Sequence, residues 1–152
     1  MKHHWRNLIN KNNYLLNIDM FNSHNIEDFN YIKLKYYQNN NYSKLSKKYL
    51  DCLYNLDSLK VFVCKKNGII ESGIFVSVAA DKETYLISYS SNISRDNNLN
   101  YYLIWFVINF LKIKNIKYFD TGGIDFINNY NVAKFKKSIG GKPYETHGLH
   151  IF

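Results

Sequence analysis

From Asn25 onward the apolar positions of the chain change rhythm several times. Over Asn25–Asn40, "NIEDFNYIKLKYYQNN", Ile26, Phe29, Ile32 and Tyr36 recur near helical spacing. Asn25 is placed to cap that helix, and acids fill its first turn. Ser43–Leu56, "SKLSKKYLDCLYNL", repeats the pattern with Leu45, Tyr49, Cys52, Leu53 and Leu56 as its apolar stripe. Strand-like runs follow. "SLKVFVCK" leads through Lys66-Asn67-Gly68, an Asn-Gly hairpin signal, into "IIESGIFVSVAA". A tight Asp81-Lys82 turn then leads into "ETYLISYSS", so the sheet begins as an antiparallel meander.

The longest helix is expected over Asn97–Lys114, with Leu99, Tyr102, Leu103, Phe106, Phe110 and Leu111 as its core stripe. Lysines sit in its last turn, where the helix dipole favours cations. It returns to a short strand, "IKYFD", and a strand–helix–strand unit of that length implies a parallel crossover. A helix over Asn129–Ser138 follows, stopped by Gly140-Gly141, and "KPYETHGLHIF" reads as a terminal strand. Ahead of all of these, His3–Asn13 reads as a short basic helix or arm. The expected order is α-α-β-β-β-α-β-α-β, an α+β fold with a mixed antiparallel and parallel sheet. With no repeat or linker, 152 residues form one domain able to bury a core.

Composition sharpens this. A hydrophobic fraction of 46% and an aromatic fraction of 17% exclude a disordered chain. The net charge of +8 suggests a polyanionic partner: nucleic acid, nucleotide phosphates or an anionic membrane face. A chain this rich in Lys, Asn, Ile and Tyr is also what an AT-rich genome encodes. Cys52 and Cys64 lie in apolar surroundings without a Cys-x-x-Cys pairing and are expected to be buried free thiols. No apolar run approaches the ~20 residues of a membrane span and no signal peptide is visible, so a cytoplasmic address is expected.

Where a sheet turns from antiparallel to parallel, ligands tend to enter at the carboxyl ends of the strands. Here those ends are "YSSNISR" and "FDTGGID". The first brings Ser90, Ser91, Asn92 and Arg95 ahead of a helix N-terminus, suited to an anionic group, although the same serines and asparagine also suit helix capping. The second offers Gly122 and Gly123, which let a ligand approach the backbone or simply turn the chain. On the helix before Gly140, Val132, Phe135 and Ile139 define the apolar stripe, and Lys134 and Lys137 point away from it. Lys136 borders the stripe; it either snorkels to water or directs its ammonium into an adjacent cleft. His147 and His150, three apart on a strand, face opposite sides, which argues against a metal site. No nucleophile elbow, Walker loop or dinucleotide fingerprint is present.

"HHWRNLINK", "VFVCKKNGIIESGIFV", the run from "TYLISYSS" to "FDTGGID", and "VAKFKKSIGG" together resemble one half of the Fem family. These are the aminoacyltransferases that build peptidoglycan bridges, with relatives described as GNAT-like N-acyltransferases. The Phe-Asp-x-Gly-Gly turn at Phe119–Gly123 and the Phe-Lys-x-x-x-Gly-Gly element at Phe135–Gly141 carry most of the likeness. The resemblance implies a GNAT-type fold, its sheet splayed between the third strand and the strand after the long helix. The implied reaction moves an acyl or aminoacyl group from acyl-CoA or aminoacyl-tRNA to an amine on a cell-envelope or sugar-nucleotide precursor. No tightly bound cofactor is implied. Lys136, next to Phe135, is placed at the transfer site as the charge that stabilises the oxyanion. Asp120 would orient or deprotonate the amine or brace the turn, and Arg95 would hold a phosphate. Because full Fem enzymes join two halves, a second copy or a partner chain is implied to complete the acceptor site. The loop "SSNISRDNN" lacks the Gly-rich cradle by which GNAT enzymes hold the coenzyme A pyrophosphate. The competing reading is a non-catalytic half that binds tRNA or a phosphorylated glycan, or completes a partner transferase.

Overall fold

Five strands lie side by side in chain order, β1-β2-β3-β4-β5. The computed structural model describes residues 18–39, 45–80 and 82–144. Its elements are β1 (Ile18–Ser23), α1 (Ile26–Asn39), α2 (Lys47–Asn55), β2 (Leu59–Lys66), β3 (Ile69–Ala79) and β4 (Lys82–Ser90). They continue with α3 (Asn92–Asp96), α4 (Leu99–Ile113), β5 (Tyr118–Asp120) and α5 (Tyr130–Ser138). The first four strands pair antiparallel, and β5 joins β4 in parallel through the α3–α4 crossover. The His3–Asn13 arm and residues 145–152 of the expected terminal strand lie outside the described residues.

Strand β1 is absent from the expected order. It is an edge strand that alternates half-buried and exposed positions and carries Asp19, Asn22 and Ser23, so it has neither strand composition nor a full apolar face. The long helix also differs from expectation, because it is two helices. Asn98 adopts a left-handed conformation at φ 56° and separates α3 from α4.

Helices cover both faces of the sheet. Phe62, Ile74, Val76 and Tyr85 meet Leu99, Leu103, Ile104, Val107 and Leu111 of α4 on one face. Val61, Val63, Phe75 and Ile87 meet Phe29 and Ile32 of α1 and Leu50 of α2 on the other. Asn25 caps α1 as expected, its Oδ1 accepting from Glu27 N at 2.8 Å. At Gly73 the helix rests on bare backbone: an added Cβ would lie 2.3 Å from Ile32 Cδ1.

Two bulges direct side chains to these layers. Phe75 pairs with Ile87 while Val76 pairs with Tyr85, so Leu86 is an extra residue in β4. The slip lets Tyr85 and Ile87, two apart, bury on opposite faces. A second slip between Cys64 and Lys65 makes Glu71 the extra residue in β3.

Helical stripes are rotated from their expected phase. In α2 the buried residue is Leu50, with Leu45, Leu53 and Tyr54 packed beside it, while Tyr49, Leu56 and Cys52 are exposed. Cys64 is buried as expected, and burial holds its thiol up at about 12. In α4 the fully buried set is Leu99, Leu103, Ile104, Val107 and Leu111, with Tyr102, Phe106 and Phe110 flanking it. Tyr49, Leu50, Cys52, Leu53 and Tyr54 give α2 enough apolar side chains for two adjacent faces, and packing of Leu50 on the sheet selects between them. Leu50→Ala is therefore expected to cost about 2–5 kcal/mol in urea denaturation. Tyr49→Ala, on the neighbouring exposed position, is expected to cost under about 1 kcal/mol.

Candidate functional site

Pairing between β4 and β5 covers Lys82↔Tyr118, Glu83↔Phe119 and Thr84↔Asp120 and then stops. Strand β4 runs on from Tyr85 to Ser90, still paired to β3 on its other side. Its β5-facing edge there has no strand partner among the described residues, which leaves a wedge along roughly 20 Å of β4 edge. Strand β5 diverges because the chain turns after Asp120. Asp120 Oδ1 accepts from Gly122 N at 2.8 Å, and Gly122 takes φ 74°.

Lys136 of α5 aims into this wedge. Its Nζ donates to Gly123 O at 3.0 Å and sits 5.3 Å from the centre of the Tyr85 ring. A Cβ on Gly122 would lie 3.3 Å from that Nζ and 3.3 Å from Tyr85 O, so the turn, the strand and the ammonium converge on one spot. Desolvation lowers the Lys136 pKa below the usual lysine range, and the Asp120 carboxylate pulls it part of the way back. The inward aim follows from the true phase of α5. Its buried residue is Ala133, with Phe135 and Ile139 packed on the core, whereas Val132, expected on the stripe, is exposed. Lys136 stands one turn from Ala133, on the inner face. Lys134 and Lys137 are exposed, as expected.

The other nominated residues are distributed differently. Phe135 packs edge-on against Tyr101, 4.9 Å between ring centres, and so anchors the helix that carries Lys136. Asp120 is held by Gly122 N, by Lys82 Nζ at 2.9 Å and by the Tyr144 hydroxyl. Burial pushes its carboxyl up, but the Tyr144, Lys82 and Gly122 contacts more than offset that and hold it below the usual carboxylate range. That environment braces the turn and makes a weak base. Ser91 caps α3, accepting from Ser94 N at 3.0 Å, and its hydroxyl donates to Glu71, the bulged residue of β3. Arg95 lies in the short α3, four residues ahead of α4, exposed, its Nη2 donating to Asn92 Oδ1 at 2.9 Å. Ser90 ends β4 opposite Ser72. The segment from Ser90 to Arg95 thus closes on itself by capping, while Gly122, Gly123, Asp120 and Lys136 are brought together. Among the described residues no group of three or more His, Cys, Asp or Glu could hold a metal ion.

Sequence reasoning missed Tyr85. Its ring floors the Lys136 ammonium, and its hydroxyl hydrogen-bonds with Ser88 and Asn100, the latter also bound by Ser72 Oγ at 3.0 Å. Burial pushes the Tyr85 phenol up to about 12, so it stays neutral. No local signal separates this tyrosine from the other thirteen, because its role comes from the bulge at Leu86.

The fold superposes on solved structures over most of the chain. An aminoglycoside acetyltransferase from an uncultured soil metagenomic sample, in complex with sisomicin, superposes with a TM-score of 0.64 at 15% identity, covering 89% of this chain and 95% of that one. The acetyltransferase AAC(6')-Iy, bound to a CoA bisubstrate analogue, gives 0.67 at 11% identity over 89% and 97%. A ribosomal-protein-alanine N-acetyltransferase from Brucella melitensis biovar Abortus 2308 gives 0.67 at 10% identity over 89% and 97%. This is the GNAT fold. No protein-family model and no curated protein sequence matches the chain. No described helix is long and apolar enough to cross a membrane.

The GNAT wedge here is built on Gly122 and Asp120, and both are testable by unfolding. Gly122→Ala is expected to lose about 1–2 kcal/mol from its left-handed backbone alone, while Gly123→Ala, with open space around its Cβ, changes little. Asp120→Asn is expected to destabilise the chain at neutral pH. Since the folded pKa is depressed, the gap to wild type persists above the ordinary carboxylate pKa and closes as pH falls through the lowered value. Urea melts across pH 3–7 check both.

Proposed function

We propose that this chain is an N-acyltransferase that moves an acyl group from a coenzyme A thioester, laid along the open edge of β4, to an amine. The observation that carries the reading is the aim of Lys136 Nζ into the β4–β5 wedge, beside Gly122 and Tyr85. Solved structures of this fold include AAC(6')-Iy in complex with CoA, which supports a CoA thioester over aminoacyl-tRNA as donor.

Attack by the acceptor amine on the thioester carbonyl places negative charge on oxygen, and the Lys136 ammonium in a poorly hydrated wedge stabilises it. The C–S bond then breaks, the thiolate leaves and takes up the proton released by the amine, and an amide remains. Asp120 positions Gly122 and offsets the charge of Lys136 in this scheme. Gly123 O and the Tyr85 ring hold the ammonium in place. Arg95, exposed on α3 beyond the end of β4, is the cation offered to the donor phosphates, and Ser91 and Asn92 hold α3 in place for it.

For the acceptor, the +8 charge favours an amine borne on a phosphate-carrying molecule, such as a cell-envelope or sugar-nucleotide precursor of the kind Fem enzymes use. The Phe119–Gly123 and Phe135–Gly141 elements favour the same class. A second copy or a partner chain completes the acceptor side. Lys136→Met is expected to lower kcat about 100-fold or more while CoA affinity by calorimetry changes only a few-fold. Unchanged turnover in that variant sinks the assignment of Lys136, and CoA binding without turnover in the wild type favours a non-catalytic binding half.

A further inference from the structure

The position that suits Lys136 to stabilise an oxyanion also puts a nucleophile at the reacting carbon. Its amine is half-buried, held between Gly123 O at 3.0 Å and the Tyr85 ring, with its helix fixed by Phe135 against Tyr101. A carbonyl close enough to receive charge stabilisation from Nζ lies within about a bond-forming approach of the same atom. Two neighbours on the same helix provide an internal reference. Lys134 and Lys137 are exposed, and the Lys137 ammonium sits over the Phe126 ring at 5.6 Å, outside the wedge.

We infer that Lys136 is a self-acylation site: with no acceptor amine present, its Nζ takes the acyl group from the bound thioester and the wedge shuts itself off. After the ammonium gives a proton to solvent, the Nζ lone pair attacks the thioester carbonyl carbon. A C–N bond forms, the C–S bond breaks, and the thiolate leaves and is protonated. The products are an N-acyl-lysine and a free thiol. The weakened hold on the proton, caused by desolvation, supports the step. The resulting amide has no charge to offer an oxyanion and fills the space that a second donor needs, so donor excess over acceptor becomes a brake on the enzyme. The inference rests on the acyl-CoA reading given above.

The test uses the full wild-type chain with acetyl-CoA and no acceptor, followed by intact mass and by tandem mass spectrometry of non-tryptic peptides. Lys136 is expected to gain an acetyl group at least about tenfold faster than Lys134 and Lys137, and excess CoA is expected to suppress label at Lys136 alone. Lys136→Arg should abolish the fast label, and pre-acetylated chain should lose turnover in proportion to its label. Equal labelling of the three lysines, or no protection by CoA, overturns the inference. CoA binding by thermal shift together with acetylation of added amines but no excess label at Lys136 overturns self-acylation and leaves the proposed reaction standing. Neither CoA binding nor acetylation of any amine overturns both.

Discussion

Strand β4 is pulled in two directions, and the geometry of the site depends on that. Along β3 it is hydrogen-bonded from Lys82 to Ser90; along β5 it is bonded over three rungs, ending at Thr84 and Asp120. Continuing the β5 ladder would satisfy the open backbone groups, so something must oppose it. The opposition comes from the Asp120–Gly122 turn, which ends the strand after the last rung, and from Lys136, whose Nζ ties Gly123 O beside that turn. The wedge is thus a gap held open by specific contacts, and its open edge is the part of the sheet left to bind something else.

Electrostatics near the gap are arranged in two depths. In the rungs that do pair, Glu83 is fully buried and answers Lys60 across the sheet, a pair whose desolvation cost makes it a better device for fixing register than for adding stability. At the gap itself, Lys82, Asp120 and Lys136 alternate in sign, with Asp120 between two cations and also held by Tyr144. The carboxylate is therefore committed to structure, and the lysine is the member left facing the space. That division of labour is the reverse of a base-driven site.

Much of this was legible in the chain before any coordinates. The antiparallel meander came from Asn67-Gly68 and the apolar runs around it, the parallel return from helix length, and the odd position of Lys136 from its place beside an apolar stripe. Where local pattern was thin, the reading slipped. The stripe of α2 was misphased because Tyr49 and Leu50 are adjacent apolar residues that serve two overlapping stripes, so Leu50 was passed over for Tyr49. Edge strand β1 alternates in burial, but Phe21 on its exposed side and Asn22 on its inner side break the apolar pattern. Tyr85 was invisible because a one-residue bulge, which has no side-chain signature, decides which layer it enters. Ser91 and Asn92 were ambiguous between capping and binding, and only the partner atoms Ser94 N and Arg95 Nη2 separate the two.

The contact of Ile32 with the bare backbone at Gly73 carries a consequence for substitution. With an added Cβ meeting Ile32 Cδ1 at 2.3 Å, the spacing between helix layer and sheet is set there by main chain. The two positions share one volume, so a larger residue in place of Gly73 is expected to be accommodated by a smaller or re-oriented side chain at the Ile32 position or by a shifted helix.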